Sequence, residues 1–170
     1  IAQFLSDLGV DTILPAFIIS SQSDREAYKK ILQSRERGRI RKDIEIITIA
    51  RANKKDIDLA ASITREAGIS PERVGILILS TASDLHLKYK LGQVLLKYKG
   101  VNLSQWLKKP VSWYRDANLD FIIEHVKYAR EIGFGSIEFA SEDASRADLD
   151  YLLKWAKACR AAGGTRLCFS

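Results

Sequence analysis

The stretch IEIITIARANKKDIDLAASITREAGISPERVGILIL, residues 44–79, decides the fold. Its opening, Ile44 to Ile49, is a β-branched run of the kind found in strands buried on both faces. From Lys55 to Ala67 the period changes, and Ile57, Ala60, Ala61 and Ile63 fall on one side of a helix that Gly68 ends. A second apolar run, Val74 to Leu79, completes the unit. Two buried strands joined through one amphipathic helix form a parallel crossover, and such crossovers are right-handed.

The same alternation continues outward. Upstream, Ala2 to Leu8 reads as a helix closed by Gly9, Val10 to Leu14 as a short strand, and Asp24 to Arg37 as a helix with Ser23 or Asp24 as its cap and Gly38 after it. Downstream come a helix over Leu119 to Ile132 ended by Gly133 and a strand over Ser136 to Phe139. A long helix over Ser145 to Ala162 follows, and the start of a last strand at Arg166 to Phe169. Helix precedes strand five times, which requires a parallel sheet covered by helices. An open doubly wound sheet and a (β/α)₈ barrel both satisfy this. A barrel takes about 250 residues, so the chain would then carry five strands of eight. Only Thr81 to Asn118 breaks the rhythm. It predicts one helix from His86 to Lys99 and then a docked excursion with Trp106 and Trp113, read either as packing on the helical shell or as a lid or interface.

Composition narrows the function. With 170 residues, 46% apolar and 28% charged, residues 1–170 read as one globular unit or a large piece of one. No apolar run is long enough for a bilayer, and no charged leader with an apolar core opens the chain. A segment cut from a longer chain is the expectation. The net charge of +6 is scattered over several helices, notably Arg35 to Lys42 and Lys88 to Lys99, instead of lining one face with stacking aromatics. Neither nucleic acid nor membrane is an expected partner. Cys159 and Cys168 fit no zinc or disulfide framework; reduced thiols point to the cytoplasm.

In parallel α/β folds the active site gathers at the carboxyl ends of the strands. Past those ends lie Arg51; then Ser80, Thr81, Ser83, Asp84 and His86; then Ser141, Glu142, Asp143 and Ser145; then Ser170. The opposite turns hold glycines, so one face carries chemistry and the other stability. Each residue has a plainer use: Ser83 or Asp84 can cap a helix near His86, Glu142 and Asp143 can complement a helix start, and Arg51 can be a surface residue. His125 sits mid-helix and reads as structural, whereas His86 is placed to handle protons. Glycine-rich phosphate loops, nucleophile elbows and His-x-His pairs are missing.

Three stretches resemble a known family. Ile49 to Asp58, IARANKKDID, resembles the LARAxxxDID segment of isopropylmalate and homocitrate synthases. Ser83 to Leu91, SDLHLKYKL, resembles their SD(I/L)HxxxKL, and Ile137 to Asp148, IEFASEDASRAD, their VEFxxEDA(S/T)RxD. Ala162 to Leu167 is similar to the lead-in to their sixth strand.

This resemblance implies an α/β chain covering about the second to sixth strands of a (β/α)₈ TIM barrel. It implies a Claisen-type condensation of acetyl-CoA with a 2-oxo acid, releasing CoA and a 2-hydroxy di- or tricarboxylic acid, in amino-acid biosynthesis. A divalent metal (Mg, Mn or Zn) would serve as Lewis acid and template, with all its ligands outside this chain, and the enzyme would be a homodimer. His86 and Glu142 are implied as catalytic, and Arg51, Ser83, Asp84, Ser141 and Leu14 as substrate contacts. Leu14 stands where the family has a glutamate and Ala140 where it has a serine, and residues 92–118 form an insertion, which leaves the oxo acid open among isopropylmalate, homocitrate, citrate and citramalate chemistry. Lacking the metal ligands, the chain alone is expected to be an inactive, open barrel. A C–C-cleaving lyase or aldolase of the same superfamily and a non-catalytic relative remain the alternatives.

Overall fold

The computed structural model describes residues 1–170. Five parallel strands form one sheet: β1 (Thr12–Ile13), β2 (Glu45–Arg51), β3 (Gly75–Thr81), β4 (Ser136–Glu142) and β5 (Arg166–Phe169). Their spatial order is β1-β2-β3-β4-β5. That order separates the two candidate architectures. A doubly wound sheet reverses its strand order at a switch point, and here the chain always advances the same way.

The helices are α1 (Ala2–Asp7), α2 (Gln22–Glu36), α3 (Lys54–Glu66), α4 (Asp84–Tyr89), α5 (Gly92–Tyr98), α6 (Val111–Ile132) and α7 (Leu149–Ala161). Side chains alternate across each strand, and the two sheet faces differ in kind. Outward, Ile46, Ala50, Ile76, Ile78, Ile137 and Phe139 join the helices in a core of 34 buried residues. Trp155 of α7 is fully buried there and meets the Phe139 ring edge-on at 5.4 Å. Inward, Ile47, Leu77 and Ala140 form a small separate cluster flanked by Ile49, Leu79 and Cys168. One helix-covered face and one narrow interior are the two surfaces of a barrel wall.

The interior is polar at the amino-terminal ends of the strands. Arg166 donates to Glu45 at 2.8 Å and to Glu138 at 3.2 Å, and Glu45 also accepts from Thr12 at 3.2 Å and from Ser136. On a flat sheet β2 and β5 would stand roughly 14 Å apart, three strand spacings. The contact between their side chains therefore records the curl of a half-barrel. On the outer side of the same edge, a groove of about 630 Å³ runs between Leu167 and the α7 residues Ala156 and Arg160, away from the carboxyl ends.

The structure corrects four readings. The α2 cap is Ser21, whose hydroxyl accepts from the Asp24 backbone N–H. The helix expected from His86 to Lys99 is broken into α4 and α5. The break lets Trp106 in: its Nε1 donates to the Lys88 carbonyl at 2.8 Å, and a side chain at Gly92 would collide with that indole. The helix expected from Leu119 starts at Val111, just after Pro110, so Trp113 lies in its first turn. The last helix begins at Leu149, capped by Asp148, after a separate 3₁₀ turn over Ala144–Arg146. No helix is long and apolar enough to cross a membrane.

Two outcomes follow from this packing. Trp155→Ala should lower unfolding free energy by about 3–5 kcal/mol, measured by chemical denaturation. Burial alone would raise the Glu45 pKa, but hydrogen bonds from Ser136 and Arg166 outweigh it and hold the carboxyl below its ordinary 4.5. A group depressed in the folded state adds stability above its unfolded pKa and loses it as the pH falls through the folded one. Unfolding curves should therefore show a stability loss below about pH 4.5 that is smaller in Arg166→Met.

Candidate active site

β2 ends on Arg51, inward-facing by its alternation with Ile47 and Ile49. Two residues later the chain enters α3, whose cap is Asn53: its side chain accepts from the Asp56 N–H at 2.9 Å. The cap brings Asp56 back against the strand end. One of its oxygens accepts from Arg51 N at 3.2 Å and Nε at 2.6 Å, the other from Nη2 at 3.1 Å. Asp56 is 5% exposed, while the Arg51 side chain is 58% exposed. The hydrogen bonds to Asp56 raise the Arg51 pKa further, so the guanidinium is a permanent cation.

β4 ends on Glu142, which forms an ion pair with Lys90 at the end of α4. Arg51, Asn53, Lys90 and Glu142 open on one cleft of about 440 Å³, and Phe17, Leu91, Val94 and Phe121 form its apolar wall. A fixed cation facing a carboxylate across an apolar surface suits a small anion with an apolar body.

A second cluster stands beside it. Thr81 Oγ1 donates to the Glu142 carbonyl at 2.7 Å, stapling the ends of β3 and β4. The next residue, Asp143, adopts a left-handed conformation (φ 59°). Its carboxylate accepts from Ser83 Oγ at 2.6 Å and Arg146 Nε at 2.6 Å, and lies 3.8 Å from His86 Nε2. Arg146 first, and then Ser83, hold Asp143 below the usual carboxylate range. Ser83 also caps α4 by accepting from the His86 N–H, and His86 Nδ1 is buried without a partner. Behind both clusters the buried Asn118 of α6 donates to the Thr81 carbonyl at 2.9 Å and to Tyr151 at 3.0 Å, and accepts from Ser80 at 3.2 Å.

Of the residues singled out from sequence, Arg51 and Glu142 share the cleft. Ser83 and His86 belong to the neighbouring cluster around Asp143 and do not line it. Asp84 is turned toward α6, with both oxygens held by Arg115 at 2.7 Å. Ser141 is fully buried among the helices with an unpartnered hydroxyl. Strand alternation explains this, because an inward Glu142 forces its neighbour outward. Leu14, just past β1, shares the inward parity of Thr12 but lies outside the cleft lining. His125 is structural as read, its Nδ1 2.7 Å from the Phe121 carbonyl and its pKa lowered by burial. Lys90, Asp56 and Asn118 were not singled out. Lys90 and Asp56 lie inside the quoted motifs, and only the spacing from Arg51 to the start of α3 hinted at Asp56.

The model of the HMGL-like family matches residues 1–170, and the chain belongs to that family. It is 35% identical over 167 residues to the 2-isopropylmalate synthase of Sulfurisphaera tokodaii, covering 98% of this chain and 34% of that protein. It is likewise 35% identical over 163 residues to the 2-isopropylmalate synthase of Methanocaldococcus jannaschii, covering 96% and 25%. A protein of Archaeoglobus fulgidus assigned as an (R)-citramalate synthase is 32% identical over 170 residues, covering 100% and 28%. The chain spans about a quarter to a third of the length of the relatives it matches.

The donor set does not fit a divalent ion. No three carboxylate, histidine or cysteine groups converge in this chain, Glu142 is occupied by Lys90, and Asp143 by Ser83 and Arg146.

Asn118→Ala should strand the Thr81 carbonyl and the Ser80 hydroxyl without partners. It is expected to cost about 1–3 kcal/mol, read by thermal unfolding of the native protein.

Proposed function

We propose that this chain supplies part of the active-site face of an enzyme that condenses acetyl-CoA with a 2-oxo acid. The observation that supports it most is Arg51 and Glu142, from strands two apart, opening on one cleft at the carboxyl ends. The synthase names of relatives aligned over nearly the whole chain support it too. A base removes a methyl proton from acetyl-CoA. The enolate carbon then bonds to the ketone carbon, whose π electrons move to oxygen, and the alkoxide takes a proton. Water next adds to the thioester carbonyl, the C–S bond breaks, and CoA leaves as the thiol.

In this reading Arg51 holds the carboxylate of the oxo acid through a charge-assisted pair. Glu142, kept in place by Lys90, faces the acetyl group. His86 stands outside the cleft lining, in the adjoining cluster with Asp143, and its proposed part as donor to the developing alkoxide requires its side chain to turn from Asp143 into the cleft. Ser83 positions His86 through its cap to that residue's N–H. A divalent metal held by residues outside this chain, homodimer formation and a cytoplasmic setting belong to the same proposal and rest on the family resemblance and the free thiols.

The floor under the cleft bears on the oxo acid. Ile49 faces inward below Arg51; Leu79, Ala140 and Cys168 face inward in register beside that arginine, and the deeper Arg166 is already neutralised by Glu45 and Glu138. A second substrate carboxylate would find no free partner among these residues of the chain and would be desolvated against them at a cost. Substrates with short apolar chains, such as pyruvate and 2-oxoisovalerate, are favoured over oxaloacetate and 2-oxoglutarate.

Thiol release from acetyl-CoA by the complete native protein, across these four acids with Mg²⁺ or Mn²⁺, tests the reading. Turnover with a monocarboxylate, lowered about 10²-fold or more in Glu142→Ala, is the expected result. Silence with every acid, or cleavage of a hydroxyacyl-CoA instead, would overturn it.

A further inference from the structure

We infer that Asp56 is a positioning residue that sets the pose in which Arg51 receives the carboxylate of the oxo acid. This rests on the condensing reading and deepens it. Asp56 does not line the cleft; it acts through the guanidinium.

An arginine presents five N–H donors in a planar fork. Asp56 takes Nε–H and one Nη2–H as a bidentate pair. That leaves both Nη1 protons and the second Nη2 proton, on a side chain 58% exposed and lining the cleft. One Nη1 proton and the free Nη2 proton point out together from the end of the guanidinium and form a second fork of the width a carboxylate accepts. The same Asp56 also accepts from the Arg51 backbone N–H. Main chain and guanidinium of one residue are thus tied to a single buried carboxylate, which removes the rotamer freedom an exposed arginine would otherwise lose on binding.

Two plainer uses of Asp56 do not account for this arrangement. The α3 cap is supplied by Asn53, so Asp56 is not needed for it. Acidic complement to the helix start works from an exposed side chain as well and gives no reason to bury the carboxylate or to satisfy both its oxygens from Arg51.

The test uses the complete native protein. In Asp56→Asn the KM for the oxo acid should rise about 10- to 100-fold, the loss expected for a hydrogen bond to a charged group. The KM for acetyl-CoA should stay within about twofold, since a change confined to one substrate's binding appears in that KM alone. Calorimetric binding of pyruvate and 2-oxoisovalerate should weaken in parallel. In an Arg51→Ala background, Asp56→Asn should add no further loss, because the two act as one unit. Asp56→Glu keeps the charge but moves the fork by one methylene, so it should unfold near the wild-type temperature with the KM still raised. It serves if the asparagine variant does not fold. Equal changes in both KM values, unchanged oxo-acid binding, or losses that add in the Arg51→Ala background would overturn the inference. If the wild type neither binds an oxo acid nor releases CoA, the condensing reading itself falls, and this inference falls with it.

Discussion

The contact between Arg166 and Glu45 across the concave face is the constraint on which the rest of the molecule depends. It bridges strands with two others between them, and only a curled sheet brings those side chains together. The curl is what gives the inward residues a confined interior and the outward ones a helix-covered core. Without it Arg51 and Glu142 would project from a flat surface as separate exposed charges, each weakly effective in water. The polar cluster at one end of the strands and the reactive residues at the other are therefore two consequences of one curvature.

At the carboxyl ends the same geometry is held by a chain of short polar links. Asn118 fixes β3 to α6 and α7, Thr81 fixes β3 to β4, and Ser83 joins Asp143 to the start of α4. The first two use side-chain groups to satisfy backbone carbonyls where the strands end, and the third pairs two side chains while the same serine accepts the His86 N–H. The price of ending a buried strand is thus met by residues that also aim Glu142 and Asp143. Structural and functional roles are not separable at Ser83, which caps a helix and braces a candidate catalytic cluster at once.

Most of the fold was legible because strand and helix periods differ and glycines mark the turns. The run from Ile44 to Leu79 is unambiguous on both counts; β2, β3 and β4 run two or three residues past their expected ends, while β1 keeps only Thr12–Ile13 of the strand expected over Val10 to Leu14. What separates barrel from open sheet is strand order, which no local period encodes; the family resemblance supplied it. The α4–α5 break escaped notice because it depends on Trp106 reaching back across the chain. Ser141 lies off the cleft because strand alternation continues to the last residue and turns it outward. Asp84 lies off it because its partner, Arg115, sits in a segment whose helix the sequence pattern does not announce. Lys90 and Asp56 were invisible as individuals, since a charged residue in a helix reads as solvated until its partner is known.

Trp106 bears on how such a cleft can change over time. Its indole closes the end of α4, leans on Gly92, and so ties the segment after α5 to the turn carrying Lys90 and Leu91. One wall of the cleft therefore belongs to a detour outside the repeating barrel unit. Substitutions or length changes in that detour can reshape the wall while the strands, their register and the Arg51 anchor stay as they are. The barrel becomes a fixed chassis with an exchangeable panel, and new specificities can be sampled at little risk to folding.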